Sequence, residues 1–237
     1  MARTAEDVKK DVVEQLYWDG RVNAADVNVD VEDGKVVLRG TVPTLIARHF
    51  AAADALCVSG VRQLDNQLTV RYPASVTAPS DEQIRSNVEN LLEWASEVDA
   101  EHVRVEVENG IVKLEGSVDA LWKVAHAEEV VSRLSGVAAI ENRLTVVPTK
   151  DTSDELIAEA IVSALKRNPL INEDAVKATV TNGVVRLAGA VPNWTAREVA
   201  HYSALHTFGA IGVDNQLVVA DHETADVAGR QHTPAQQ

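Results

Sequence analysis

The same β-hairpin signature occurs three times in this chain, and it constrains the fold more than any other feature. The first copy reads Val27, Val29, Val31, then Asp33-Gly34, then Val36, Leu38, Gly40 and Val42. The second reads Val103, Val105, Val107, then Asn109-Gly110, then Val112, Leu114, Gly116 and Val118. The third reads Val176, Ala178, Val180, then Asn182-Gly183, then Val185, Leu187, Gly189 and Val191. Strict alternation marks strands with one buried face. Asn-Gly or Asp-Gly between two such runs is the strongest short hairpin signal, because a type I′ turn needs positive φ at both central residues.

The copies belong to longer repeats. Offsets of 76 and then 73 residues, without gaps, superpose Gly60, Gly136 and Gly209, Asn66, Asn142 and Asn215, and Leu68, Leu144 and Leu217. The repeats cover residues 5–71, 81–147 and 154–219. Internal spacings are fixed and only the linkers differ, which predicts tandem domains rather than a continuous solenoid. Each repeat is near the lower size limit for independent folding, so packing between repeats is expected to add stability. The linker 72–80 contains Pro73 and Pro79 and reads as extended; the tail 220–237 has few apolar residues and is expected to be disordered.

Within a repeat the order reads α-β-β-α-β. The first helix carries Val8, Val12 and Leu16, Ile84, Val88 and Leu92, or Ile157, Ile161 and Leu165, a single buried stripe. Ser80 with Gln83, and Thr152 with Glu155, read as capping boxes. After the hairpin, a second helix is predicted to start near Val42-Pro43, Val118-Asp119 and Val191-Pro192. Its small residues (Ala47 and Ala51, Ala127, Ala196 and Ala200) would let it sit close over Gly40, Gly116 and Gly189, which share the core-facing parity of the second strand. Gly60, Gly136 and Gly209 read as positive-φ C′ residues ending that helix. A last strand, such as Leu64-Asn66-Leu68-Val70, closes each repeat. The fold class is therefore α+β: three domains, each a three-stranded mixed sheet with two helices on one face, and a crossover joining the second and third strands if they run parallel.

Composition narrows the function classes. Net charge is −14, a poor match for the phosphates of nucleic acid, so no nucleic-acid partner is expected. The single cysteine, Cys57, excludes an intrachain disulfide and reads as a small buried residue. The first residues lack the apolar stretch of a secretory leader, and no run is long enough to span a membrane, so a cytoplasmic location is expected. No nucleophile elbow, phosphate loop or zinc pattern is present, so neither a catalytic residue, a cofactor nor a metal is expected. His201 and His206 are five residues apart, on different helical faces.

The hairpin pattern N-G-V-V-x-L-x-G-x-V at Asn182–Val191, with the closing pattern carried by Gly136-Val137, Ile140, Asn142, Leu144 and Val146, resembles the BON domain. The likeness extends through all three repeats. It implies the α-β-β-α-β fold and a non-catalytic binding or scaffold role, associated in the family with phospholipid surfaces, envelope integrity and osmotic stress. A periplasmic location is the alternative the family implies. A cytoplasmic small-ligand or ion sensor, for example of potassium, is the alternative function; the partners implied are a phospholipid surface or another protein.

Candidate binding or fold-determining residues are Asn66, Asn142 and Asn215, each at the inward parity of an apolar strand, where a buried amide must find partners. As a ligand site they would offer carbonyl oxygens; as a structural device they would tie down a neighbouring loop, and the threefold recurrence favours the latter. Trp122 and Trp194, at the start of the second helix, are candidate surface contacts. Trp18 and Trp94 end the first helix with acidic neighbours, and partial burial of all four is expected. The middle repeat holds six Lys and Arg against fourteen Asp and Glu, with Glu97, Asp99, Glu101, Glu106 and Glu108 forming a candidate cation- or basic-protein-attracting cluster that reads more simply as a solvated face.

Overall fold

A computed structural model describes residues 3–72, 77–95 and 100–220 of the chain. Pro73, the tail 221–237 and the acids Glu97 and Asp99 lie outside the described residues. The first repeat comprises α1 (Ala5–Trp18), β1 (Val27–Glu32), β2 (Lys35–Val42), α2 (Leu45–Cys57) and β3 (Gln63–Val70). The second comprises α3 (Asp81–Trp94), β4 (Val103–Glu108), β5 (Ile111–Val118), α4 (Leu121–Ser132) and β6 (Ala139–Val146). The third comprises α5 (Asp154–Lys166), β7 (Val176–Thr181), β8 (Val184–Val191), α6 (Trp194–Leu205) and β9 (Gly212–Val219). A one-turn 3-10 helix precedes the hairpin in each copy, at Ala24–Asp26, Ala100–His102 and Glu173–Ala175.

Each repeat builds its own three-stranded sheet with the hairpin's second strand in the middle. That strand pairs antiparallel with the first and parallel with the last, for example Leu38 with Val29 on one side and with Asn66 on the other. The turn residues behave as their identities require: φ is 47° at Asp33, 51° at Asn109 and 49° at Asn182, with positive φ at the glycine that follows each. Val36, Leu38 and Val42 face inward with Val8, Val12 and Leu16 of α1 and Ala47, Ala51 and Ala55 of α2. The other sheet face carries ion pairs. Arg39 reaches Asp30 at 2.6 Å, Lys113 bridges Glu106 at 3.6 Å and Glu115 at 2.6 Å, Arg143 lies 3.8 Å from Glu115, and Arg186 pairs with Asp214 at 2.9 Å. The expected α+β architecture, three mixed sheets each covered by two helices, is the one found.

Several local expectations need correction. α5 is capped by Ser153, whose hydroxyl accepts from the Leu156 N–H, and not by a Thr152–Glu155 box, whereas Ser80 and Gln83 do form one. The second helices begin two to three residues later than the proline positions suggested, behind Thr44, Ala120 and Asn193. Gly40, Gly116 and Gly189 do accommodate a close approach, but by the carbonyls of Asp26, His102 and Ala175 in the 3-10 turn rather than by the second helix. Gly60, Gly136 and Gly209 have positive φ but lie beyond C′: α2 is capped at Val58 and α6 at His206. A side chain at these glycines would strike Val8, Ile84 or Thr152, so they let the start of the first helix close over the sheet.

The chain divides into two compact units, Met1–Asp151 and Thr152–Gln237. In the first unit the repeats share core. Leu45 of α2 is buried in the cluster built around Ile84, Val88, Leu92, Val112 and Leu114, and Val70 packs against the same cluster. The Tyr72 hydroxyl accepts from the Gly136 N–H across the same junction. The second unit has its own core, formed by Ile157, Ile161, Leu165, Val185, Leu187, Ala196 and Ala200.

Candidate functional site

The repeated asparagines join the last strand to the second helix. Asn66 donates through Nδ2 to the Arg48 carbonyl at 3.1 Å and accepts at Oδ1 from the Leu68 N–H at 3.2 Å. Asn142 repeats this with the Val124 carbonyl at 2.9 Å and the Leu144 N–H at 3.2 Å. Asn215 accepts from the Leu217 N–H at 3.2 Å, but its Nδ2 is buried without an acceptor. There the helix is tied down instead by Arg197, whose guanidinium donates to the carbonyls of Asn215 and Leu217, both at 3.1 Å. Both ends of Asn66 and Asn142 are thus occupied by the protein's own backbone, and their carbonyl oxygens are turned to a strand amide.

A second repeated device escaped the sequence reading. The carboxylate of Asp81, the first residue of α3, accepts from the N–H groups of Asn109 and Gly110 at 2.7 and 2.8 Å. Asp154 does the same for Asn182 and Gly183, at the same distances. A single carboxylate thus clamps the hairpin turn to the helix start. The first repeat has Ala5 at this position and Asp33 in the turn.

The tryptophans separate into two classes. Trp122 and Trp194 are half-buried; the Arg197 guanidinium lies 4.9 Å from the Trp194 ring centre, and the Trp122 ring stands 6.0 Å from that of His126. Trp18 and Trp94 were expected to pack partly into the core or between repeats, but they are 76% and 86% exposed at the C-terminal ends of α1 and α3. Each side chain falls off the buried stripe, two residues past Leu16 or Leu92. Tyr17, 72% exposed, packs edge-on against Trp18 with ring centres 5.2 Å apart. Periodicity alone placed Trp18 and Trp94 outside the stripe; the average burial of tryptophan argued the wrong way.

Cys57, expected to be buried, is exposed at the last position of α2. Among the described residues no group of three or more His, Cys, Asp or Glu could hold a metal ion. Of the acidic cluster, Glu106 is engaged by Arg104 and Lys113 on the sheet surface. His201 is half-buried with its Nδ1 lacking a partner, and desolvation holds its pKa below the ordinary histidine value.

A family model described as BON domain matches residues 4–72, 80–148 and 153–221. Outer membrane lipoprotein DolP of Haemophilus influenzae is 35% identical over 134 residues, 56% of this chain and 65% of that protein. Osmotically-inducible protein Y of Escherichia coli is 27% identical over 126 residues, 52% of this chain and 63% of that protein. A 21 kDa hemolysin of Actinobacillus pleuropneumoniae is 33% identical over 136 residues, 57% of this chain and 66% of that protein. The matches thus span somewhat less than two thirds of the length of these curated relatives. The expectation of a cytoplasmic location is overturned by the kinship with an outer membrane lipoprotein; it had rested on the missing leader pattern, which does not fix a compartment. Among the described residues no helix is long and apolar enough to cross a membrane. Three copies of one domain, matched in register over most of the sequence, place this chain in the BON domain family.

Proposed function

We propose that this chain is a non-catalytic, stress-related binding protein that contacts phospholipid surfaces through the aromatic tips of its first helices. The observation that carries the reading is the exposure of Tyr17, Trp18 and Trp94 at the ends of α1 and α3. Tyrosine and tryptophan combine an apolar ring with a polar edge, and they are the residues that settle at the headgroup level of a bilayer. Exposed in water, each leaves a large apolar area uncovered, which burial at an interface would make favourable. The kinship with an outer membrane lipoprotein and an osmotically inducible protein supports the same reading.

The net charge of −14 sets the character of the contact. Anionic headgroups would repel the chain as a whole, so attachment must come from ring insertion rather than from charge. Flotation with neutral and anionic vesicles at low and moderate salt tests this. Binding to neutral vesicles that persists at moderate salt, with a blue shift of tryptophan emission, is the expected result. A Trp18→Ala/Trp94→Ala double variant should lose it, whereas Trp122→Phe and Trp194→Phe should keep it. Absence of flotation with either vesicle overturns the reading.

A further inference from the structure

The first repeat contains a pair of facing acids that the other two lack. Asp54 lies on α2 beside the buried Ala55, and is only 6% exposed. Its Oδ1 accepts from Gln15 Nε2 at 3.4 Å, while its Oδ2 is closed off from water and receives no donor. The neighbouring acid is Asp19, the residue that caps α1, near enough for its charge to raise the pKa of Asp54. The Asp19 side chain is itself only 9% exposed, and Arg21 grips it: Nε is 3.0 Å from both oxygens and Nη2 is 2.6 Å from Oδ2. The Arg21 guanidinium lies 4.1 Å from the ring centre of Phe50 on α2, which closes the cluster. The corresponding pairs are Ala95 with Val130 in the second repeat and Asn168 with Ser203 in the third.

Two neighbouring carboxyl groups shielded from water resist being ionised together, so one of them holds its proton to a higher pH. Arg21 decides which. Its hydrogen bonds hold Asp19 ionised, far below the usual carboxylate range. Burial, and then the Asp19 carboxylate, push Asp54 up to about 6. Of the other titratable groups on α2, Arg48 donates to the Asn66 carbonyl on β3, and burial, opposed by Glu128 on α4, lowers the pKa of His49. On the opposite face of the sheet Lys35 of β2 pairs with Asp65 of β3, and Arg39 of β2 with Asp30 of β1. On α1, Asp11 is paired with Arg3 and Lys9 with Asp30.

We propose that Asp54 and Asp19 form a proton-operated clasp that fastens the end of α1 to α2 in mildly acidic conditions and slackens when the proton leaves. The protonated Asp54 carboxyl supplies the donor that Asp19 otherwise lacks on that side. Once it is lost, two negative charges face each other and the end of α1 is pushed off α2. Because the folded chain holds this proton more tightly than an unfolded Asp would, the stabilisation is complete below the ordinary 3.8 and disappears as pH rises through about 6. That shift corresponds to up to about a hundredfold in the folding equilibrium. Tyr17 and Trp18 immediately precede Asp19, so the clasp also sets the position of the aromatic tip. That consequence alone rests on the phospholipid reading; the clasp does not.

Carboxyl-carbon NMR titration of the full wild-type chain tests it directly. One aspartate should titrate near 6, and the resonance should vanish in Asp54→Asn. The amide that this substitution introduces is a permanent donor to Asp19, so Asp54→Asn should raise the thermal midpoint at neutral and alkaline pH and leave it unmoved in mild acid. Asp19→Asn should return Asp54 toward the ordinary range. Aspartates that all titrate in the ordinary range, or an Asp54→Asn midpoint shift equal at both pH values, overturn the clasp. The wild-type titration decides between these outcomes even if a variant does not fold. A clasp that titrates as expected in a chain that floats with no vesicle at either pH overturns the contact reading alone.

Discussion

Replacing Asp81 by alanine should cost the second repeat about 2–3 kcal/mol, worked from two parts. The first is the turn clamp. The carboxylate accepts from Asn109 and Gly110 at 2.7 and 2.8 Å. Asn109 is exposed, so water replaces the lost bond there at little cost. Gly110 is buried, and its N–H would be left unpaired, a loss of about 1–3 kcal/mol. The second part is the negative charge in the first turn of α3, about 0.3–1 kcal/mol. With a urea slope of about 1–3 kcal/mol/M, the midpoint of the first unit should fall by about 1 M. Hydrogen exchange localises the effect: Gly110 should lose protection while the strand amides of the third repeat are unchanged. Asp81→Asn keeps an acceptor and should show roughly half the effect. The reverse experiment uses the first repeat, where Ala5→Asp combined with Asp33→Asn should install the clamp and protect Gly34. An unmoved midpoint, with Gly110 still protected in Asp81→Ala, would refute the clamp as a source of stability.

The other predictions test the shared core, the close approach of the 3-10 turn and a half-buried imidazole. Leu45→Ala removes a repeat-1 side chain from the repeat-2 core and should cost about 2–5 kcal/mol; the first unit should melt in one calorimetric transition in the wild type and in two in the variant. Gly116→Ala places a methyl against the His102 carbonyl, where φ is 134°, and should prevent the second repeat from folding; near-wild-type circular dichroism and melting would contradict this. His201, whose pKa desolvation lowers from 6.5, should favour folding fully above 6.5 and lose that contribution as the medium is acidified below it, so His201→Leu should flatten the acid limb of the third repeat's stability curve.

The fold was legible because its signals are local. The three Asn-Gly or Asp-Gly turns, the four-residue spacing of Ile84, Val88 and Leu92, and the fixed repeat offsets each depend on a few neighbouring residues. What could not be read depends on contacts across the fold. The parity of Asn142 showed that it points inward, but its partner is a helix carbonyl 18 residues away. Gly116 was assigned a close neighbour correctly, yet the neighbour is a 3-10 turn with no pattern of its own in the sequence. Asp54 stands seven residues after the buried Ala47, so helical periodicity alone places it on the inward face of α2; an acid there was a signal that passed unused. Cys57 and Trp18 show the opposite error, where the average behaviour of a residue type overruled its position in the helix.

The ion pairs on the open sheet faces bear on how the first two repeats avoid exchanging strands. Tandem domains of similar sequence can misassemble by pairing a strand of one copy with a strand of the next. In the native register Arg39 of β2 stands opposite Gln67 of β3, while Glu115 of β5 stands opposite Arg143 of β6. If β2 took β6 as its partner, Arg39 would face Arg143, two like charges side by side on neighbouring strands, which is destabilising. That like-charge meeting disfavours β6 as a partner for β2, so the first repeat closes on its own last strand rather than on that of the second.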